Sequence, residues 1–232
     1  MIFSNCNSIS VDIPEKPLLH RIGKLREEQK ISKRLKKKLQ EAVWEIGNHA
    51  QPKAVFHVVP VYRNNGSIVL NNKVFIHSKK LALILNPCRK AAVFLTTIGA
   101  EVDRIIKQHM KNRPHFGFLL DAAASVAAES VAQYVQDYIE DNLQEDEKTT
   151  LRYSPGYCDW PLEEQKKIFN IVPHESIGVN LSESHLMSPR KSISGVIGIC
   201  PSACLEASRN ACLICAKPNC LHRRPLKDKI DV

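Results

Sequence analysis

The amino-acid sequence predicts an α+β fold with a mainly antiparallel sheet, long helices and a cysteine-rich C-terminal tail. Residues 53–76 combine β-branched runs with Asn- and Gly-containing turn signals, which is typical of consecutive antiparallel strands. Residues 116–143 keep a helical pattern without a break. Near the end of the chain, five cysteines occur within the 21 residues from Cys200 to Cys220. We therefore expect one sizeable core with a small appendage.

A basic helical segment, residues 16–49, comes before the strands. Apolar side chains recur at helical spacing from Leu18 to Ile46, with charged side chains on the opposite face. Gly23 and Gly47 are weak points in this pattern, because glycine is a poor helix former. The segment is therefore predicted to form one helix or a broken pair.

The strands and helices that follow are bounded by turn and cap residues. Ser78 is placed to cap a short helix, and Pro114 marks the start of the longest one. In chain order, the predicted elements are strands over 54–59, 68–70 and 74–76 with turns at 64–66 and 71–72 between them, a short helix over 79–85, a buried strand over 91–98, a helix over 100–111, the long helix over 116–143, a polar loop over 144–161, a short helix over 162–171 and two short strands within 176–198 around Pro189.

Small side chains form a stripe along the long helix. Ala124, Ala127, Ala128 and Val131 follow the i, i+3, i+4, i+7 spacing of one helix face. Such a face allows close approach of another backbone or of a flat ligand. Tight helix packing is the use that we expect for most of the stripe.

The charge of the chain is unevenly placed. Residues 16–40 hold ten Lys or Arg side chains and two acids, whereas residues 129–147 hold seven acids and no Lys or Arg. This pattern fits two solvated helix faces, or else a docking patch for an acidic partner, protein or nucleic acid.

Composition argues against a membrane protein. The chain has no run of 18 apolar residues, and its first residues do not resemble a signal peptide. We therefore expect a cytoplasmic protein with reduced thiols, in which clustered cysteines favour metal binding over disulfides.

Residues 152–157 read R-x-x-x-G-Y, a pattern suited to a ligand that carries an amino acid. Arg152 could pair with a carboxylate through a bidentate fork. Pro155 and Gly156 would hold an irregular backbone whose N–H and C=O groups, near Ser154, face the ligand. Tyr157 could stack on it. A surface turn with a structural arginine is the alternative.

A second motif, L-S-E-S-x-x-M-x-P-x-x-S-x-S-G, occupies residues 181–195. Together the two motifs resemble the S-adenosylmethionine-binding signature of the activation domain of cobalamin-dependent methionine synthase. The resemblance spans roughly residues 20–198 and includes the alanine-rich helix. It implies a twisted sheet and a shallow groove, between the long helix and the loop, for S-adenosylmethionine. The ligand contacts that it implies are Arg152, Ser154, Gly156, Tyr157 and, six positions before the arginine, Asp146.

The same resemblance implies a function in reductive methylation. Such a domain binds S-adenosylmethionine and supports the reactivation of cob(II)alamin. Because no cobalamin, homocysteine or folate module is recognisable, the chain resembles a free-standing form. The cobalamin would then be held by a partner, either a cobalamin-dependent methionine synthase or a related corrinoid protein. No catalytic side chain is required, since positioning is the protein's contribution. The basic residues 16–40 could dock an acidic flavodoxin or ferredoxin.

The final cysteines read C-x3-C-x7-C-x2-C-x4-C, at spacings that let thiolates converge on one metal. The activation-domain-like part would end at residue 198, and residues 199–232 would form a metal-binding tail. The predicted ligands are Cys212, Cys215 and Cys220, with Cys204 or Cys200 as the fourth. An iron–sulfur cluster is our first interpretation and zinc the alternative.

Two other functions remain open at this point. One is a nucleic-acid-binding module in which the basic run 33–38 acts with a zinc knuckle and Arg223-Arg224. Sparse aromatic residues, at 6% of the chain, count against it. The other is a scaffold that binds the corrinoid partner without the methyl donor.

Overall fold

The structure, a computed structural model, describes residues 2–4, 9–23, 31–64 and 67–204. The helices in these residues are α1 (Glu15–Arg21), α2 (Lys33–His49), α3 (Lys79–Ile84), α4 (Ala100–Asn112), α5 (Pro114–Asp141) and α6 (Gln165–Phe169). The strands are β1 (Ile2–Ser4), β2 (Lys53–Asn64), β3 (Ser67–Leu70), β4 (Val74–Ile76), β5 (Lys90–Thr97), β6 (Glu147–Thr149), β7 (Asn180–Leu181), β8 (Met187–Ser188) and β9 (Ser192–Pro201).

The main sheet has the strand order β4-β3-β2-β5-β9-β6, and β1 pairs with β2 beside this path. All of its described pairings are antiparallel, which confirms the predicted class of sheet. In the centre, β5 pairs with β2 from Lys53↔Thr97 to Pro60↔Lys90. On its other edge, β5 pairs with β9 over residues 192–199.

One face of the sheet is covered by α1, α2, α4 and α5. Phe56, Phe94 and Ile197 point to this side and share a buried cluster with apolar residues of all four helices. The alanine stripe of α5 belongs to the same cluster, where its members are 0–5% exposed. The stripe therefore serves the tight packing of α5 in this cluster.

The opposite face is covered by α3, α6 and loop residues. Val93, Leu95 and Val196 point to this side and pack with Tyr153 and Trp160. Because β5 contributes to both clusters, seven of its eight residues are buried, as expected of an interior strand.

Several local predictions are confirmed by backbone geometry. The N–H of Leu81 donates to Ser78 Oγ at 3.0 Å, so Ser78 caps α3. Asn71 and Asn72 have φ angles of 52° and 59°, the left-handed values that a tight turn requires. The basic segment is a broken pair, since Gly23 follows α1 with a φ of 85°. The turn residues Asn65-Gly66 lie outside the described range.

Two strand predictions need correction. We expected residues 144–161 to be a loop, but β6 lies within them; its polar side chains suit a sheet edge and hide the strand pattern. We also expected two short strands around Pro189. Instead β7 and β8 form a separate small sheet before it, and β9 after it has ten residues. Most of β9 is buried on both faces, so alternation gives no measure of its length.

β9 continues past residue 198 to Pro201, and the Cys200 side chain packs in the second cluster. The division of the chain at residue 198 stays a prediction. Among the described helices, none has the length and hydrophobicity needed to span a bilayer.

Candidate ligand-binding site

The R-x-x-x-G-Y loop is fixed to strand β9 by backbone hydrogen bonds. The N–H of Tyr153 donates to the carbonyl of Val196 at 3.0 Å, and the N–H of Val196 donates back at 2.8 Å. Three residues before Tyr153, the N–H of Thr150 donates to the carbonyl of Gly198 at 2.9 Å. Strand β9 therefore sets the position of the loop.

A glycine in the serine-rich motif makes this approach possible. A Cβ atom at Gly195 would lie 2.9 Å from Ser154 Oγ, from the Tyr153 carbonyl oxygen and from the Phe94 ring. Contacts of that length do not occur in packed proteins, so any side chain at 195 would push the loop away. The two motifs that carry the sequence resemblance are thus in direct contact.

The second half of the loop is a tight bend around Gly156. Its φ of 87° favours glycine, and its N–H donates to the carbonyl of Trp160 at 2.8 Å. The N–H of Tyr157 donates to the carbonyl of Ser154 at 3.1 Å. The bend leaves the Tyr157 side chain 42% exposed at the surface.

The first residue of the motif, Arg152, points at helix α5. Its Nη1 donates to Gln133 Oε1 at 2.8 Å and to Gln136 Oε1 at 3.0 Å. Its Nη2 lies 3.5 Å from Glu129 Oε2. The Arg152 side chain is 6% exposed, whereas that of Glu129 is 43% exposed. Helix α5 therefore holds the guanidinium in place, and the Glu129 carboxylate lies on its solvent side.

The α5 side of the site was missed by sequence reasoning, which considered the alanine stripe. Glu129, Gln133 and Gln136 follow the i, i+4, i+7 spacing and form a polar line on a mostly apolar helix. Polar residues at helical spacing within an apolar helix are the signal that could have identified this line.

A partly buried hydrogen-bond network holds the loop from the α3 side. Tyr153 Oη donates to the carbonyl of Tyr157 at 3.2 Å and lies 3.5 Å from Asp159 Oδ1. Asp159 also accepts from Ser78 Oγ at 2.7 Å and from the N–H of Lys80 at 3.2 Å. The loop is thereby tied to the first turn of α3.

Two pKa shifts follow from this network. Burial, with the nearby Cys158 thiol and the Asp159 carboxylate, raises the pKa of Tyr153 well above its usual range, so the phenol stays protonated. For Asp159, burial acts to raise the pKa, but hydrogen bonds from Ser78 and from backbone N–H groups outweigh it and lower the pKa. Asp159 is therefore an anion that stabilises the network.

The serine-rich segment mainly serves as a scaffold. Ser192 Oγ donates to Thr97 Oγ1 at 2.9 Å, and Ser194 Oγ donates to Gln165 Oε1 at 3.2 Å; both serines are buried. Lys191 Nζ lies 2.7 Å from a carboxylate oxygen of Asp121 on α5. Burial lowers the pKa of Lys191, and the bond to Asp121 acts in the opposite direction.

Four of the five predicted ligand contacts, all but Asp146, lie together in the loop. Asp146 is exposed just before β6, and its carbonyl accepts from the N–H of Ser202 at 2.7 Å. Within the described ranges, no hydrogen bond or ion pair joins its carboxylate to the loop. Two clefts of the described surface, of about 470 and 360 Å³, are lined by other residues.

The metal site predicted in the tail is not tested by the structure. Cys212, Cys215 and Cys220 lie outside the described residues. Cys200 is buried in the sheet, and Cys204 ends the 3₁₀ turn Ser202–Cys204. Elsewhere in the described part of the chain, no group of three or more His, Cys, Asp or Glu side chains could hold a metal ion.

The fold and the loop define a class: an α+β domain whose arginine-bearing loop is fixed between a long helix and an interior strand. The model of the family "Vitamin B12 dependent methionine synthase, activation domain" matches residues 85–205, just over half of the chain. The chain belongs to this family, which confirms the resemblance predicted from the two motifs.

A solved structure supports the fold. The chain is similar to a crystal structure of the MetH reactivation domain bound to AdoHcy, with a TM-score of 0.55 and 18% sequence identity. The similarity covers 75% of this chain and 68% of that one. No curated protein sequence matches the chain.

Proposed function

We propose that this chain binds S-adenosylmethionine beside α5 and supports the reductive methylation of cob(II)alamin on a separate corrinoid protein. The observation that carries the proposal is the placement of Arg152 between α5 and the bend at Gly156, next to the carboxylate of Glu129. Family membership and the AdoHcy bound to the similar crystal structure support the choice of ligand.

The site has both charges that an amino-acid head group needs. A carboxylate can bind the Arg152 guanidinium, and an ammonium can bind the Glu129 carboxylate. Of the described contacts of Arg152, the one to Glu129 Oε2 is the longest at 3.5 Å. On binding, Glu129 is expected to exchange part of this contact for the ligand's ammonium.

The rest of the ligand would lie over the bend. In this proposal, backbone groups around Ser154 and Gly156 would hydrogen-bond with an adenine edge in addition to the bonds that they make within the bend, and the exposed ring of Tyr157 would offer a stacking surface. Asp146 stays a proposed contact that requires its exposed side chain to turn toward the loop.

The chemistry would be supplied by the two small molecules. When held by the partner, the cobalamin would be the methyl acceptor, with its one electron supplied by a low-potential electron-transfer protein, and S-adenosylmethionine would supply the methyl group and be released as S-adenosylhomocysteine. The chain's residues would hold and orient the methyl donor, without acting as acid or base. The partner would be a cobalamin-dependent methionine synthase or another corrinoid protein.

Titration calorimetry with S-adenosylmethionine tests the proposal. Arg152→Ala is expected to weaken binding about 100-fold, since the charged contact with the ligand's carboxylate is lost, and Glu129→Gln about tenfold. Arg104→Ala is the matched control, because Arg104 pairs with Glu101 on the exposed face of α4. Binding that survives Arg152→Ala unchanged would refute this site.

The tail adds a separate proposal, that residues 199–232 hold an iron–sulfur cluster, with zinc as the alternative. Anaerobic purification followed by metal analysis and a visible spectrum decides between them. Iron with inorganic sulfide and a brown colour supports the first; a colourless, zinc-loaded protein supports the second. A protein with neither metal would refute both.

A further inference from the structure

Two glutamine side chains of α5 hold one side of the Arg152 guanidinium. Every described hydrogen bond of its Nη1 goes to a neutral oxygen of that helix: Gln133 Oε1 at 2.8 Å, Gln136 Oε1 at 3.0 Å and the Ala132 carbonyl at 3.4 Å. A buried cation is ordinarily paired with a carboxylate, because a neutral partner leaves its charge uncompensated. On this side, the guanidinium is therefore bound without being neutralised.

The orientation of the Gln136 amide is fixed from its other end. Its Nε2 donates to the carbonyl of Thr150 at 3.1 Å and to Thr149 Oγ1 at 3.2 Å. Since a carbonyl oxygen can only accept, the amide nitrogen has to face Thr150, and the amide oxygen has to face Arg152. Thr149 Oγ1 donates in turn to Glu140 Oε2 at 2.8 Å, so the network continues to the next turn of α5.

The amide of Gln133 is oriented in the same way at the surface. Its Nε2 donates to Asp137 Oδ1 at 2.7 Å, one turn further along α5. Because a carboxylate oxygen can only accept, the amide oxygen of Gln133 is the atom that faces the guanidinium. A glutamine that turned its amide around would lose both of its bonds and place N–H groups against a cation.

The solvent side of the guanidinium has a weaker electrostatic partner. Arg152 Nη2 lies 3.5 Å from Glu129 Oε2, and the Glu129 side chain is 43% exposed. Water screens a pair of this kind, so it reduces the positive potential of the guanidinium less than a short, buried ion pair would. Arg152 thus keeps a fixed orientation and much of its attraction for an anion.

We propose that Gln133 and Gln136 are positioning residues that make the site specific for ligands with a free carboxylate. They orient the Arg152 guanidinium and leave its charge available to the ligand. The inference rests on the proposed function and adds the ligand class: an adenosyl compound with an intact amino-acid head group, in preference to one whose carboxyl group has been removed. The parent chain should therefore bind S-adenosylmethionine more tightly than decarboxylated S-adenosylmethionine.

Gln133→Glu tests this specificity at an exposed position, where the change should not unfold the chain. Titration calorimetry compares S-adenosylmethionine with its decarboxylated analogue, which keeps the adenosine, sulfonium and ammonium groups. S-adenosylmethionine should bind at least about tenfold more weakly to the variant, because the new carboxylate pairs with Arg152 and repels that of the ligand. The analogue carries only positive charges and should bind as well as before, or better.

Gln108→Glu is the matched control for the added charge. Gln108 Oε1 accepts from Arg104 Nη1 at 3.3 Å on the exposed face of α4, so this variant places the same new carboxylate beside another arginine. Its affinities for both compounds should equal those of the parent chain. Gln136→Met removes the buried amide and keeps a side chain of similar size, and it should also reduce the preference for S-adenosylmethionine over the analogue.

The two ligands separate specificity from folding. Parallel losses of affinity for both compounds would mean that the glutamines only support the fold, and would overturn the inference. An unchanged preference in Gln133→Glu would overturn it as well, while S-adenosylmethionine binding by the parent chain would leave the proposed function intact. A parent chain that binds neither compound would refute the proposed function and this inference with it.

Discussion

The two motifs that identify the family have opposite roles in the structure. The R-x-x-x-G-Y loop is the less specific sequence pattern, yet it places Tyr157 at the surface and Arg152 beside an exposed carboxylate. The serine-rich segment is the more specific pattern, yet Ser192, Ser194 and Gly195 are buried behind the loop. In this chain, the long motif thus contains residues that support the site, whereas the short motif contains the residues that can contact a ligand.

The strongest test of this contrast is Gly195→Ala, a change in the supporting motif. The new Cβ would contact the backbone of Tyr153 at 2.9 Å, so we expect a loss of about 2–3 kcal/mol in the free energy of unfolding. Urea denaturation measures it. Gly47→Ala is the control, because nothing lies within 4 Å of a Cβ there, and it should raise stability by about 0.5–1 kcal/mol. Equal changes in stability at the two glycines would contradict the conclusion that Gly195 supports the loop.

Asp159→Asn tests the network that ties the loop to α3. Replacing the anion weakens its hydrogen bonds with Ser78 and the backbone, and because Asp159 is exposed and solvent screens its charge, we expect a loss of only about 0.5 kcal/mol in the free energy of unfolding at neutral pH.

The pH dependence of this loss identifies its cause. The pKa of Asp159 is lowered from its ordinary value of 3.8, so its contribution is fully present above that value and is lost as the pH falls through the folded-state pKa. Denaturation curves of both proteins should therefore converge in acid. A difference that stays constant with pH would mean that the charge is not responsible.

Tyr157→Ala tests the loop motif itself. Loss of the stacking surface should weaken S-adenosylmethionine about tenfold in calorimetry, while the midpoint of thermal unfolding changes little because the ring is half exposed. Tyr157→Phe keeps the ring and should bind almost as the parent does. If both variants bind equally weakly, the hydroxyl rather than the ring is the contact.

The smallest effect is expected for Glu183→Gln in the serine-rich segment. Glu183 is exposed in the turn between β7 and β8, so the change should alter stability by less than about 0.5 kcal/mol and leave ligand affinity unchanged. Stability and calorimetry on one preparation check both values. A large loss of affinity would give this segment a direct binding role.

Much of the fold could be predicted from the sequence because turn and cap residues mark the ends of its elements. Asn71-Asn72, Ser78 and Pro114 mark boundaries through their own backbone preferences, and the structure has elements that end or begin there. The length of β9 was not readable, because a strand buried on both faces has no alternation, and β6 was hidden by polar side chains.

Only the loop half of the candidate site could be predicted from the sequence. The loop residues are consecutive, so a motif reveals them together. The partners of Arg152 on α5 lie 16 to 23 residues earlier in the sequence and meet it only through packing of the helix on the sheet. A single sequence does not show which face of a helix turns toward a distant loop.

The placement of β9 also has a consequence for how the chain reaches its native state. This strand occupies the interior of the sheet, between β5 and β6, although it is the last strand of the described residues. During synthesis, the edge of β5 that pairs with β9 stays unpaired until residue 201 has left the ribosome. Such distant pairing slows folding and exposes apolar surface in the meantime, so a nascent chain arrested before residue 190 should require a chaperone to stay out of aggregates.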